Sequence, residues 1–536
     1  MTKKTSVWIL IAILILSACN FTYWGGVKNG FHCDEIYSYG LSNYKEDYHY
    51  TVFDKEGNVK WNSPEDIDRY LTVPEGGGYD YKTVMYNQKN DVHPPLFYMV
   101  IHTLSSVFPG SNSKYIGIIP NLIFPLGTGI LLYLIAMEIF KKRWLSLLTV
   151  FTYLFSVNAV NMVIYVRMYA MLTFFSALAL YLHIRFIKNG YLLNKKLAVG
   201  IFIAVFLGAY TQYYFLIFVA GIAFFTGASM LFRKEFKKLL HYVILMGVTA
   251  ICYLLVWPTA ISHIFSSSRG TEAFANASNS SLVVNMTNYL KIVSSSTGWV
   301  LLLVFIAALL VCIYFAIKNE TIDFRRLGDY SAFFIVVFGI VFYFVLIAKV
   351  APYQTDRYIS PIFPLFILVI VYFIYHAVNF IFQHIKRGEK LMPWVILIVL
   401  VIGTLYSEGF HLARFEASPK GQNYLYRMKD EYKSFLEETK GKPCIMVNTH
   451  EAHFLFNLED YKNFSKTAFV HVDDLDKLKD TSPIEGEEEV ILYINDALDC
   501  DKVCEDIVER FDFDGYNYVM SSNDRNWAAV YKLYRN

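Results

Sequence analysis

The feature that most constrains this chain is a series of apolar runs close to twenty residues long, separated by short basic clusters. A helix of that length matches the thickness of a bilayer's hydrocarbon layer. Such runs occupy 7–24, 116–140, 144–163, 168–187, 196–210, 212–232, 240–260, 297–317, 330–349, 358–382 and 392–408. They predict a mainly α, polytopic membrane helical bundle of about eleven spans. The composition agrees, with 55% hydrophobic and only 18% charged residues over 536 positions. The net charge of +2 gives no reason to expect a nucleic-acid partner.

Lys and Arg collect on the cytoplasmic side of membrane proteins. Lys3-Lys4 therefore sets the N-terminus inside and loop 25–94 outside. Later basic groups are Lys141-Lys142-Arg143, Arg185 to Lys196, Arg233 to Lys238, Lys318 to Arg326 and Lys386 to Lys390. If the short apolar stretch 95–108 crossed the membrane, each of these would fall outside. If it lies along the surface, each falls inside. It is thus expected as a juxtamembrane helix in the first outer loop, and the C-terminus is extracytoplasmic. The expected location is the cell membrane. Leu16-Ser17-Ala18-Cys19 has the look of a lipoprotein cleavage site, but apolar and aromatic residues continue to Trp24, so an uncleaved first helix is expected.

The composition changes after residue 408, where Asp, Glu and Lys become abundant. This divides the chain into a membrane domain, 1–408, and an extracytoplasmic α/β domain, 409–536. Strands are predicted at Cys444–Asn448, Ala468–Val472, Val490–Ile494 and Ala528–Leu533, with a helical piece at Lys502–Phe511. Outer loop 25–115 carries Gly76-Gly77-Gly78, so its middle is expected to be mobile or ordered on binding. The Ser- and Asn-rich loop 261–296 reads either as a flexible cover or as a solvated linker, and Asn276-Ala277-Ser278 fits a glycosylation acceptor pattern. The seven cysteines form no C-x-x-C pair; Cys500, Cys504 and Cys444 are either bridged or free. No phosphate-binding glycine motif is present, which argues against an ATP-driven pump and a nucleotide-sugar enzyme.

Several ionisable groups fall at the outer ends of spans. Asp34-Glu35 lies just beyond the first span, where partial desolvation and nearby cations can tune a carboxylate as a general base. The plainer alternative is that Glu35 caps or salt-bridges a surface helix. Asp91-Val92-His93-Pro94-Pro95 precedes the juxtamembrane helix, and Asp91 and His93 are candidates for a divalent cation or a donor phosphate. Arg167 in Tyr165-Val166-Arg167-Met168-Tyr169, Lys349, and Arg357 in Asp356-Arg357-Tyr358 lie outside against the positive-inside trend. A phosphate at headgroup level accounts for that exception; a snorkelling anchor accounts for Arg167 alone. The outer turn Tyr210-Thr211-Gln212-Tyr213-Tyr214 is explained equally by an aromatic belt.

Taken together, these stretches resemble the GT-C membrane glycosyltransferases that use polyprenyl-phosphate sugars, in particular the protein O-mannosyltransferase and aminoarabinose lipid A transferase group. The resemblance rests on Asp34-Glu35, His93-Pro94-Pro95-Leu96, Arg167-Met168-Tyr169-Ala170, and Arg357-Tyr358 before Pro361-Ile362-Phe363-Pro364. It covers roughly residues 7–408. It implies transfer of a sugar from a polyprenyl-phosphate carrier to an extracytoplasmic acceptor hydroxyl, with Asp34 as base and inversion at the anomeric carbon. Arg357 and Tyr358 would hold the donor phosphate, with Arg167 as helper. Relatives often carry His or Lys where this chain has Gln212. Two other classes compete: a flippase or transporter of lipid-linked sugars, and a non-enzymatic envelope sensor or scaffold. Intramembrane charges and repeated halves, the marks of the transporter, are not seen.

Overall fold

The computed structural model describes residues 1–45, 50–318, 330–382, 388–413, 424–426, 428–450, 452–456, 458–521 and 528–536, apart from the side chains of 410–413. The basic residues expected at 319–326 and 386–387 lie outside the described residues. The chain forms two compact units: 1–24, 92–97 and 118–423 make one, and 25–91, 98–117 and 424–536 the other. The first outer loop thus groups mainly with the tail, which a linear cut at 408 does not convey.

The first unit is helical. Among the described residues, nine helices are long and apolar enough to cross a membrane, or ten if the bent pair Arg143–Leu154 and Val157–Ile164 is one span. Every run expected to span is helical, but fewer than eleven qualify. The helix Lys195–Ala209 has only 15 residues, and by the usual rise it falls short of the hydrocarbon layer. The bent pair turns by 52°. The break is written locally: the Ser156 hydroxyl donates to Tyr153 O and accepts from Ala159 N, closing one helix and capping the next. The stretch 95–108 is the helix Leu96–Val107, of 12 residues. Loop 261–296 is neither a free cover nor a linker. It forms the helices Thr259–Phe265, Ser268–Asn279 and Leu282–Thr297. The last donates Asn285 Nδ2 to Ala348 O (2.8 Å), fixing it on a span.

The second unit is built on a sheet of order β1-β3-β2-β4-β6-β5. The strands are β1 (Trp61–Asn62), β2 (Cys444–Asn448), β3 (Thr467–His471), β4 (Glu489–Asn495), β5 (Gly515–Ser521) and β6 (Ala528–Tyr534). β3, β2 and β4 are parallel, while β1 joins β3, and β6 joins β4 and β5, antiparallel. Alternate side chains of a strand point to opposite faces. Ile445, Val447, Val470, Leu492 and Ile494 pack with Val503, Ile507 and Phe511 of the helix Cys500–Phe511. The other face is aromatic: Phe454 stacks on Phe469 at 4.5 Å between centroids, and Tyr461 meets Tyr493 at 5.3 Å. All seven cysteines are free. The stretch around Gly76-Gly77-Gly78 is a turn, with Gly77 N on Pro74 O and Gly110 N on Val73 O. Positive φ at Gly76 (74°) shows why glycine stands there.

Candidate functional site

The candidate carboxylates, Asp34 and Glu35, belong to the second unit. Its helix Cys33–Asn43 starts with a capping box: His32 Nδ1 accepts from Asp34 N (3.1 Å), and Glu35 Oε2 accepts from His32 N (2.7 Å). Glu35 is wholly buried and also bonds the equally buried Lys28 ammonium at 3.0 Å. Lys28 in turn donates to Tyr424 O (2.7 Å) and lies over the rings of Phe31 and Tyr426. A buried ion pair is tolerated only with this degree of further bonding. Glu35 therefore anchors the helix, while Asp34 beside it keeps 28% of its side chain exposed. The adjacent acids have different surroundings: one sealed, one open to a reactant.

Gly40 sets the depth of this helix. A Cβ there would lie 2.0 Å from Tyr70 Cζ. Tyr70 is fully buried between Tyr44 and Tyr50 and cannot retreat. Gly40→Ala is expected to destabilise this unit by about 1–3 kcal/mol through overpacking, read as a lower melting temperature of the purified chain.

Near the same helix start, His32, Cys33 and Asp34 form the one group of three potential metal ligands found among the described residues, with donor atoms within 4.8 Å of one another. The imidazole Nδ1 already accepts the Asp34 amide, so the cluster reads as a helix cap more than as a prepared chelate. Asp91 and His93 do not belong to it. Asp91 ends the helix Tyr81–Asn90, its N–H bonded to Asn87 O.

The candidate cations, Arg167 and Arg357, belong to the first unit. Pro94 and Pro95 lead into a backbone bond from Leu96 N to Tyr210 O (3.2 Å), which docks this segment on the Tyr210–Tyr214 turn. His93 Nε2 lies 3.4 Å from Arg167 Nη2. A guanidinium beside the imidazole favours an anion over a metal cation at this place. Arg357 bonds the Tyr165 hydroxyl and stacks over the rings of Tyr165 and Tyr358. Arg167 and Arg357 are both buried, at 4% and 6% exposure, which excludes a snorkelling surface anchor for either. The neighbouring Asp356 is 1% exposed and accepts from Asn161 Nδ2 at 3.1 Å, while Asn158 Nδ2 meets Ser360 Oγ at 3.3 Å. The second limb of the bent pair is thereby stitched to the segment that presents Arg357.

Tyrosines surround that segment. Tyr343 donates to Tyr358 O (2.8 Å) and Tyr289 to Tyr353 O (3.1 Å), and the Tyr214 and Tyr169 rings pack on Tyr358. Burial holds the Tyr289 hydroxyl well above its ordinary pKa, with the neighbouring Tyr358 and Tyr169 adding to the rise. Sequence reasoning missed Tyr289, Tyr343, Asn161 and Asp356 as parts of the site. Only the abundance of tyrosine, 41 residues, pointed that way. Lys349 sits elsewhere among the bonds: its ammonium donates to Ser280 O (2.6 Å), and its own carbonyl accepts from Ser280 Oγ (3.0 Å). It ties the helix Ser331–Val350 to the loop helices. Gln212 is buried, and its side chain bonds the adjacent Tyr213 amide.

This architecture is the GT-C fold of membrane glycosyltransferases. The structure of ArnT from Cupriavidus metallidurans bound to undecaprenyl phosphate superposes with a TM-score of 0.56 at 10% identity, over 99% of this chain and 98% of that one. Its apo state gives 0.50 at 9% identity over the same shares. The Archaeoglobus fulgidus oligosaccharyltransferase in the apo form gives 0.48 at 11% identity, over 91% of this chain and 70% of that one. Residues 92–258 match the family model described as dolichyl-phosphate-mannose-protein mannosyltransferase. No curated protein matches the chain.

Proposed function

We propose that this protein is a glycosyltransferase that moves a sugar from a polyprenyl-phosphate carrier to an acceptor hydroxyl on the outer face of the cell membrane. The observation that carries the reading is the pair of buried arginines, Arg167 and Arg357, set among hydroxyls at helix ends of a GT-C fold. Guanidinium groups in such surroundings suit a phosphate, because desolvation strengthens charge-assisted hydrogen bonds. The match of residues 92–258 to the mannosyltransferase model covers Arg167 and His93. The ArnT relative is bound to undecaprenyl phosphate, a carrier of the proposed class.

In the proposed reaction the acceptor oxygen attacks the anomeric carbon, and the bond from that carbon to the carrier phosphate breaks. The acceptor proton passes to the Asp34 carboxylate, and the bonding electrons leave on the phosphate. Negative charge grows on the departing oxygen while positive charge grows at the ring. Arg357, with Tyr358 beside it, and Arg167 stabilise the departing group. A single base with direct attack gives inversion. No step is routed through a divalent metal at Asp91 or His93. Glu35 acts by holding the Asp34 helix in place, and Lys349 by holding the loop helices.

The test uses full-length protein in lipid nanodiscs with a polyprenyl-phosphate sugar and envelope extract as acceptor. Wild type should release polyprenyl phosphate in step with glycosylated acceptor. Arg357→Ala should lower kcat/KM by about 10²–10³-fold, the usual effect of deleting a charge-stabilising donor. Carrier movement across the bilayer without sugar transfer would instead identify a flippase.

A further inference from the structure

The second unit holds a polar site that the transfer chemistry does not use. It lies at the carboxyl ends of the parallel strands β3, β2 and β4. The chain leaves β2 toward β3 on one flank, and leaves β4 toward β5 on the other. Where successive connections part in this way, the strand ends open a crevice, the usual ligand position of an α/β sheet. His471 pairs with Asn448 in register, and Asn495 comes one step beyond the Val447–Ile494 pair. Val447, Val470 and Ile494 belong to the apolar core. Asn448, His471 and Asn495 follow them and so face the opposite side of the sheet.

The bonding of these groups is incomplete in a telling way. Asn495 is 1% exposed; its Oδ1 accepts from Ala497 N, but its Nδ2 has no hydrogen-bond partner among the described residues. A buried donor left without a partner is costly, and is expected where a ligand completes the bonding. Above it, His471 is fully engaged. Its Nδ1 accepts from Asp473 N (3.2 Å) and its Nε2 donates to Thr449 O (3.0 Å), which fixes the loop after β2. That loop presents two more imidazoles. His450 uses Nδ1 to accept from Ala452 N (3.1 Å), and His453 uses Nδ1 toward the Thr449 hydroxyl (3.2 Å), so among the described residues both keep Nε2 for another partner. Burial, with His450 close by, holds His453 below the ordinary imidazole range and thus neutral, against the opposing pull of Asp496. Asp496 is exposed at the rim.

The crevice adjoins the Asp34 helix. The short helix Ala452–Leu455 packs on Cys33–Asn43. The residue after it, Phe456, meets the His32 ring edge to face at 4.9 Å. An occupant lying across these strand ends would therefore run along an aromatic wall toward the carboxylate.

We propose that this crevice binds a glycan: the saccharide part of the acceptor whose hydroxyl Asp34 deprotonates. The proposal rests on the glycosyltransferase reading only for the statement that the glycan is the acceptor. Imidazoles, amides, a hydroxyl and one carboxylate offer donors and acceptors in near balance, matching sugar hydroxyls. An anionic ligand would meet Asp496 and no guanidinium or ammonium among the groups named.

The test is direct binding. Oligosaccharides released from the host's cell envelope are offered, without donor, to the full-length protein in nanodiscs, and contact is read by saturation-transfer NMR and calorimetry. Wild type should bind. His450→Ala, which alters an exposed side chain, and His453→Ala should each weaken binding about tenfold, as for loss of a good hydrogen bond. Arg357→Ala should bind as wild type does. In the transfer assay the histidine variants should raise KM for acceptor while KM for donor stays the same. No binding by wild type, or equal binding by both histidine variants, overturns the proposal. So does tight Zn²⁺ binding that depends on His450 and His453 and is required for oligosaccharide binding. If wild type binds but transfers nothing, the glycan site stands and the glycosyltransferase reading falls.

Discussion

Replacing Asp34 by Asn is expected to slow sugar transfer by about 10²–10⁴-fold, the usual contribution of a positioned general base, with no change in carrier affinity. Asn keeps the size of the side chain, and a single neutral amide leaves the capping box of His32 and Glu35 intact. What is lost is the basic oxygen, at a position where 28% of the side chain is open to a reactant. The measurement is kcat for transfer, beside the Kd of the variant for polyprenyl phosphate. A variant within a few-fold of wild type would show that proton removal is done elsewhere. The companion substitution Glu35→Gln separates the two acids. Gln still accepts from His32 N, so its effect should appear first in stability, through the Lys28 pair, and only secondarily in kcat.

The second large effect concerns that pair. Lys28→Met is expected to cost about 3–5 kcal/mol, because it strands the Glu35 carboxylate in a site with no exposure. It also removes the donor to Tyr424 O, one of the ties between the first loop and the tail. The melting temperature of the variant should fall, and protease should cut the first loop sooner. Adding Glu35→Gln should restore much of the loss, since the stranded charge goes while the helix cap remains. If Lys28→Met melts like wild type, the ammonium is not sealed as described.

The helices were legible in the sequence because apolar runs of bilayer length have few other uses. Fewer of them reach spanning length among the described residues: at 196–210 the run is apolar but the helix ends after 15 residues. Four tail strands were visible as apolar bursts. β5 was not, because Gly515–Ser521 is a half-exposed edge strand whose polar and tyrosine residues give no burst. β1 was invisible for a different reason: two residues, Trp61 and Asn62, become a strand only through their pairing with Ala468 and Thr467. Among the candidate site residues, those with an obvious charge, Asp34, Arg167 and Arg357, could be nominated by position alone. What distinguishes Asp34 from Glu35 was not readable, since it depends on Lys28 folding back to seal one of them. Tyr289 was hidden inside a Ser- and Asn-rich segment that looked like a linker until its helix bonded to Ala348.

The bonds between the first loop and the tail set an order of assembly. Lys28 and Tyr424 are 396 positions apart, and the Trp61 indole bonds Asp480 O across 419. Contacts of such separation form late, because the intervening chain must exist and be threaded first. On the ribosome, the segment bearing Asp34 therefore emerges early and waits, with the Lys28–Tyr424 bond still unmade, until translation is nearly finished. A nascent or prematurely terminated product is expected to lack the Lys28–Tyr424 bond, so the Asp34 helix of an abortive chain stays without one of its anchors.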